Sequence, residues 1–470
     1  MSEQTISKTD FRYYLDCPLH FWALKHDYEP TLTLTAMDAF RMQQGQDVET
    51  LALEYLNQFV LNQYPNATLH WQQTYTHDCF LARTDALIHD ENEDCYDLYE
   101  IKSSSIIDKE DLYDVAFQMK VCAHSIPMRN LYLVHLNKEY RMQGTLNLEE
   151  LFLCKDITQP IAEIEVTIEQ NMLAARQVLF QDTPAAIDHC RKPDTCPFPD
   201  LCHPNLPEHP IYEISRLHRN KAIQLEEMGV RAIIDIPSDF SLSDKQKEYV
   251  EVVKTGQPSI NRDAIQAKLS ALCYPLHFLD YETCNPAIPI FEGYKPNQHI
   301  VFQFSLHILP ARDAETEHHQ FLHTEYCDPA PALLEQLSHT IQPQGSIIVW
   351  NKGFECSRNN EMAEVQPVYA AFLENINSRV FDLMEIFSQN LYIHPDFHGS
   401  ASIKKVLPVL VPELSYDGME INKGDEASIA WWEIVNKKLS EEEKEIKIAN
   451  LLKYCQLDTM AMLKIFYKII

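Results

Sequence analysis

Glycine is scarce in this chain, at 10 of 470 residues, and with 45% hydrophobic residues the composition is that of a globular protein of mixed helices and strands. No apolar run approaches the length that spans a membrane, and the opening MSEQTISKTD has neither the basic nor the hydrophobic part of a secretory signal. The expectation is a cytoplasmic protein without membrane contact. Basic residues are also short: 39 Lys and Arg face 69 Asp and Glu, for a net charge of −30. Such a surface repels a phosphate backbone at long range, which argues against tight unaided binding of nucleic acid. The imbalance is uneven: residues 1–210 carry 15 basic and 33 acidic groups, residues 275–470 carry 15 and 27, and residues 211–274 carry 9 of each. Thirteen cysteines, an odd number scattered through regular segments, exclude a simple disulfide framework and read as buried thiols with a few ligands among them.

Four of those cysteines bracket a cluster of acids. Cys17 stands near the start, and Cys190, Cys196 and Cys202 close the far side. Thiolates so far apart can meet only where the fold joins both ends of a domain, so a shared metal or cluster would act as a clasp. Between them lie Asp85 in ARTDAL and Glu100 and Lys102 in YEIKSS. A helix is predicted over residues 36–60, strands around 69–75, 80–88 and 96–101, and a helix over 109–123. On a strand Glu100 and Lys102 point to one face, where Asp85 can join them from a neighbour. Two carboxylates there would bind a hard divalent cation, with the lysine beside the attacking water. Cys79, Cys95, Cys122 and Cys154 read as core thiols.

This arrangement resembles the PD-(D/E)xK nucleases, and the cysteine bracket narrows the likeness to the RecB-like branch that includes the iron-sulfur CRISPR-associated exonucleases and the AddB helicase-nuclease subunit. The segment SKTDFRYYLDCPLHFW is similar to that branch's first cluster-cysteine region. The resemblance covers residues 1–205. It implies Glu49, in GQDVE, as a further metal ligand, Asp85, Glu100 and Lys102 as the core motif, and Gln118 as the helix glutamine. It also implies a 4Fe-4S cluster on Cys17, Cys190, Cys196 and Cys202, for which zinc is the alternative on ligand chemistry. Two positions depart from the pattern: Cys122 replaces a tyrosine, and the first gap between the late cysteines is longer than usual.

Residues 206–273 are predicted to be a helical connector. KAIQLEEMGVRAIIDIP reads as a helix, a turn at Gly229 and a second helix, which resembles half of a helix-hairpin-helix whose backbone N–H groups would face phosphate. Arg216, Arg219, Lys221, Arg231, Lys245 and Lys247 are the candidate nucleic-acid contacts, with an ordinary helical spacer as the alternative.

A second acid set occupies residues 274–470. HFLDYET places Asp280 and Glu282 on one face of an apolar strand; a strand follows in which Ile300, Phe302, Phe304, Leu306 and Ile308 face one way. NKGFE sets Glu355 at a helix start, and the last helix opens on a capping box at Ser440 and Glu443 and presents Tyr454 and Asp458 on one face. Asp382 reads as a local structural acid and Trp431 as core. The four carboxylates fit two divalent ions, with Tyr454 orienting water. The pattern resembles the DnaQ-like exonucleases of the RNase H-like fold, with Glu355 where that family usually has Asp. Over both halves the chain is similar to an uncharacterised bacterial family that fuses them, sharing FLDYET, WNKGFE, SIKKVLP and YCQLDT.

The fold expected is therefore α/β: a PD-(D/E)xK nuclease domain with a four-cysteine site, a helical connector and a DnaQ-type exonuclease domain. The expected activity is hydrolysis of DNA phosphodiesters with Mg2+ or Mn2+, for end processing or destruction of foreign DNA. A protein partner that delivers the nucleic acid is expected on charge grounds, RNA is an alternative substrate, and a non-catalytic adaptor is the rival reading.

Overall fold

The strands predicted around residues 69–75 and 80–88 are both interrupted, and the interruption carries Asp85. Gln72 adopts a left-handed backbone (φ 51°), which a strand cannot continue through. Each long strand is thereby cut in two: Ala67–Trp71 and Thr74–His77 on one side, Phe80–Arg83 and Ala86–Asp90 on the other. Thr74–His77 and Phe80–Arg83 form a three-stranded sheet with Ile6–Ser7, whereas Ala67–Trp71 and Ala86–Asp90 join a five-stranded one. Asp85 sits where the chain passes from one sheet to the other. In this computed structural model residues 5–31, 34–184 and 195–470 are described; Cys190 lies outside them.

The chain forms two units, one of Met1–Asn205 with Pro286–Gln298 and the other of Leu206–Asn285 with His299–Ile470. Both are mixed α/β.

In the first unit the five-stranded sheet runs in the order Ala67–Trp71, Ala86–Asp90, Cys95–Lys102, Met128–Leu136, Phe152–Asp156. Only the pair Cys95–Lys102 and Met128–Leu136 is parallel. Alternation along these strands supplies two cores. Leu87, Leu98 and Leu133 pack with Val115 and Phe117 of helix Lys109–Cys122 and with Ile161 and Ile168 of helix Thr158–Leu179. Ile88, Tyr99 and Val134 pack with Val48 and Ala52 of helix Ala36–Tyr55. That helix gives way at Leu56 to a π turn, Leu56–Val60, so the predicted 36–60 helix is one turn shorter as α-helix. The segment Pro286–Gln298 is built into this unit: the Ala287 N–H donates to Gln44 Oε1 at 3.0 Å, and the Asn297 amide to the Ser103 carbonyl at 3.1 Å.

In the second unit, the hairpin of helices expected after Gly229 does not form. Helix Arg219–Glu227 ends, Gly229 turns the chain (φ 77°), and a single 3-10 turn, Ile233–Asp235, follows; the next helix begins only at Asp244. Ile233 and Ile236 are drawn into a core with Leu225 and Val250, and Pro237 stops further winding.

A five-stranded sheet in this unit has the order Glu317–Leu322, Ile300–Leu309, Leu276–Cys284, Ser346–Val349, Val380–Asp382, and only Ile300–Leu309 runs against the others. That strand is buried on both faces. Phe304, Leu306 and Ile308 face an apolar core with Leu333 and Leu337. The intervening polar residues meet the final helix, Glu441–Ile469: the Gln303 amide donates to the Leu451 carbonyl at 2.8 Å, and Ser305 and His307 both bond Thr459. The capping box at Ser440 and Glu443 forms as predicted. Asp382 accepts the Lys352 and Met384 N–H groups, a local structural role. Trp431 is fully buried and stacks on Phe302 at 4.7 Å. Among the described residues no helix is long and apolar enough to cross a membrane.

Candidate metal centres

In the first unit the strand Cys95–Lys102 aims Glu100 and Lys102 to one face, and its pairing with Ala86–Asp90 brings Asp85 alongside. Asp85 Oδ2 accepts the Ile101 N–H at 2.8 Å. Glu100 is buried; Oε1 lies 2.5 Å from Lys8 Nζ and 3.2 Å from Lys102 Nζ, and Oε2 accepts the Gln118 amide at 2.5 Å. Lys102 in turn contacts Asp114 at 2.6 Å and Asp111 at 3.5 Å. Glu49 and Asp85 line one cavity of about 540 Å³ together with Lys8. All five expected residues are thus assembled. Lys8, Asp111 and Asp114 join them from positions that strand and helix spacing does not indicate.

The two central acids end on opposite sides of the ordinary carboxylate range, although burial pushes both upward. Burial drives Asp85 up to about 8, with the Glu100 charge adding to the effect. Burial would also raise Glu100, but Lys8 and then Lys102 outweigh it and hold that carboxyl at about 2. Buried Gln118 Oε1 and Asp114 Oδ1 have no hydrogen-bond partner among the described residues, and oxygen acceptors of this kind suit a hard cation.

The second unit gathers more acid with less compensation. Asp280, Glu282, Glu355 and Asp458 come from the strand Leu276–Cys284, the helix Lys352–Val365 and the final helix. Three of them are less than 8% exposed: Glu282, Glu355 and Asp458. Burial, followed by mutual repulsion, pushes Asp280, Glu282 and Glu355 far above the usual carboxylate range. Asp458 rises to about 6, since the Tyr416 hydroxyl and Lys404 offset part of the burial. Lys404 Nζ lies 3.4 Å from the Tyr454 hydroxyl and 5.5 Å from the centre of each ring, Tyr416 and Tyr454. Buried Glu355 Oε2 has no hydrogen-bond partner among the described residues. These four carboxylates outnumber the cations that act on them, Lys404 and Arg358, so enclosing them is costly and divalent ions relieve that cost. Every acid expected here is present, and Tyr416 and Lys404 are additions.

Cys17, Cys196 and Cys202 share one small buried cluster with Trp22 and Phe198. His20, absent from the four-cysteine pattern, offers a ring nitrogen within 4.8 Å of the Cys196 and Cys202 sulfurs. Burial raises the Cys17 thiol, but contacts with His20 prevail and bring it below its ordinary value. Its signal was the spacing Cys17 to His20, one helical turn. The other described thiols include Cys79 and Cys122, which are buried, and Cys95 and Cys154, which are half-buried.

Of the candidate nucleic-acid cations, Arg216, Lys221 and Lys245 line a cavity of about 870 Å³ with Tyr249, Phe387 and Tyr392; Asp244 is there too. Arg219, Arg231 and Lys247 are not among its lining residues.

Residues 277–402 match the family model described as a domain of unknown function, DUF2779, a span that includes Asp280, Glu282 and Glu355. The chain is 28% identical over 207 residues to Uncharacterized protein MG366 of Mycoplasma genitalium, covering 40% of this chain and 31% of that protein. It is 29% identical over 138 residues to Uncharacterized protein UU173 of Ureaplasma parvum, covering 26% and 20%. The chain thus spans under a third of the length of the curated relatives it matches. A solved structure titled "Crystal structure of SSO0001" aligns at 17% identity over 43% of this chain and 87% of that one, with a TM-score of 0.24, too low to bear on the fold.

Proposed function

We propose that the protein is a divalent-metal-dependent nuclease that hydrolyses DNA, with RNA as the alternative substrate. In this reading the first unit is a RecB-like PD-(D/E)xK domain and the second a DnaQ-like exonuclease of RNase H-like fold. The mixed sheet with one reversed strand supports the latter assignment. The observation that carries the reading is the convergence of Asp280, Glu282, Glu355 and Asp458 in a buried, cation-poor site.

Mg2+ or Mn2+, when bound, would acidify a water and neutralise charge on the scissile phosphate. Asp280, Glu282, Glu355 and Asp458 would hold the ions in the second unit, and Glu49, Asp85 and Glu100 in the first. Tyr454 orients the water-bearing side of the second site, and Lys404 beside it offers a positive charge to the phosphate. Lys102, fixed by Asp114, holds its proton and so serves as an electrostatic stabiliser, not as a base. The cationic cavity with Arg216, Lys221 and Lys245 supplies a local foothold for strand and bases in an otherwise acidic chain. With a net charge of −30, delivery of substrate by a partner protein belongs to the proposal, as do roles in DNA end processing or foreign-DNA degradation in the cytoplasm.

The cysteine cluster is proposed to hold 4Fe-4S with Cys190 as the fourth thiolate. The proximity of His20 supports a second reading, zinc on three cysteines and this histidine. Iron and zinc content with an absorption spectrum of anaerobically purified protein separates the two.

The deciding experiment follows degradation of labelled single- and double-stranded DNA and RNA with Mn2+. Asp280→Ala is expected to reduce the activity of the second site on the order of 100-fold or more. Lys102→Ala tests the first site in the same assay. Wild-type protein inert on every substrate would replace this reading with the adaptor.

A further inference from the structure

The nuclease reading leaves a group of side chains in the second unit unused: His209, Glu213 and His398. We propose that these three form a transition-metal site, suited to Zn2+, which fastens the turn at His398 to the connector.

His209 Nδ1 lies 3.0 Å from Glu213 Oε2, and His398 Nδ1 lies 2.8 Å from Glu213 Oε1. All three ligand atoms fall within 4.8 Å of one another. Two imidazoles and one carboxylate are the donor set that zinc and similar borderline ions take in open, three-ligand sites. The set is therefore chemically distinct from the carboxylate centres, which suit Mg2+ or Mn2+, and from the thiolates at Cys17. Tyr249 donates its hydroxyl to Glu213 Oε2 at 2.9 Å, an outer contact that orients a ligating carboxylate. Side-chain exposures of 13% for Glu213, 16% for His209 and 38% for His398 leave an ion a way in.

The backbone is shaped to bring these groups together. His398 and Gly399 are both left-handed, with φ of 51° and 68°. A Cβ at position 399 would lie 1.9 Å from the Glu213 carbonyl oxygen, so the chain is pressed against the carboxylate-bearing residue at a place that admits only glycine. A non-glycine residue at positive φ is strained and persists where its surroundings hold it. His398 is held from both ends, by its ring against Glu213 and by its N–H on the Pro395 carbonyl. Gly399 and Tyr249 also line the cationic cavity, so an ion at this point would fix part of that cavity's wall.

The inference is independent of nuclease activity, and its test reads no cleavage. The full chain, saturated with Mg2+, is dialysed against Zn2+ and then metal-free buffer, and zinc is measured in wild type and in the His209→Ala/His398→Ala variant. The expected result is one more retained Zn2+ per chain in wild type, and a Zn2+-dependent rise in melting temperature lost in the variant. Co2+ should give wild type an increment of visible d–d absorption that the double variant lacks, over any thiolate charge transfer from the cysteine cluster, which both share. If the double variant does not fold, His398→Gln, which keeps an amide donor toward Glu213, takes its place. Equal zinc content and equal thermal shifts in wild type and variant would overturn the proposal and leave a hydrogen-bonded triad only.

Discussion

Tyr416 donates its hydroxyl to Asp458 Oδ1 at 2.5 Å, and it does so from outside the helix that carries Tyr454 and Asp458. Helix spacing places Tyr454 on the face of Asp458, and Tyr416 adds a bond to that carboxylate from 42 positions earlier. Tyr416→Phe removes a bond that favours the ionised carboxylate, so Asp458 should rise further above about 6. The acidic limb of the Mn2+-dependent pH–rate profile is expected to move to higher pH. A bond to a charged group is worth about 1.5–3 kcal/mol, which corresponds to roughly a 10- to 100-fold loss near neutral pH. An unmoved profile would remove Tyr416 from the site.

The acid clusters make a signed prediction about stability in EDTA. Asp458 and Asp85 have folded values raised to about 6 and about 8, so the folded state binds protons more tightly than the unfolded one. Their contribution is fully present below the ordinary carboxylate range and is lost as pH rises through those values. Asp280, Glu282 and Glu355 are raised as well and act in the same sense. Metal-free protein should melt at lower temperature at pH 8 than at pH 5.5, and Mn2+ should restore more at pH 8. Glu100, held at about 2, has the opposite sign: its contribution is present above about 4.5 and disappears as pH falls toward 2. Differential scanning fluorimetry across pH with EDTA or Mn2+ reads both trends.

Lys8→Ala is expected to behave as a defect of the first site although Lys8 belongs to no nuclease motif. It leaves buried Glu100 with Lys102 and Gln118 as its partners, and losing one bond to a charged group costs about 1.5–3 kcal/mol. Thermal melting should drop, and it should recover in part with Mn2+, whose charge can replace the ammonium.

Trp431→Ala deletes a fully buried indole stacked on Phe302 at 4.7 Å and should cost about 3–5 kcal/mol. Denaturant unfolding monitored by circular dichroism measures it. A loss below about 1 kcal/mol would mean that the helix Gly424–Asn436 is not part of the cooperative core.

What could be read in the sequence was what alternation and helical spacing encode. Glu100 with Lys102, Asp280 with Glu282, and the Ser440 cap each depend on neighbours two or three positions away, and each was legible. Residues supplied by remote segments were not. Lys8 reaches Glu100 across 92 positions, and Lys404 lay inside SIKKVLP without any local reason to face Tyr454. The paired helices expected around Gly229 failed for a tertiary reason, because Ile233 and Ile236 gain more from burial than from continuing a second helix. The break at Gln72 left no periodic trace, and it decides which sheet Asp85 borders.

The loop Pro286–Gln298 has a practical corollary for anyone dissecting this chain. Because it donates Ala287 and Asn297 to the N-terminal unit while its flanking strands, Leu276–Cys284 and Ile300–Leu309, serve the other, no single cut yields two whole parts. A fragment stopping at Asn205 would expose the apolar seat of Ala287 and leave the Gln44 side chain without its amide donor. Truncations at that point should be insoluble or dull in assays for reasons unrelated to chemistry, whereas supplying the missing loop as a peptide in trans offers a rescue.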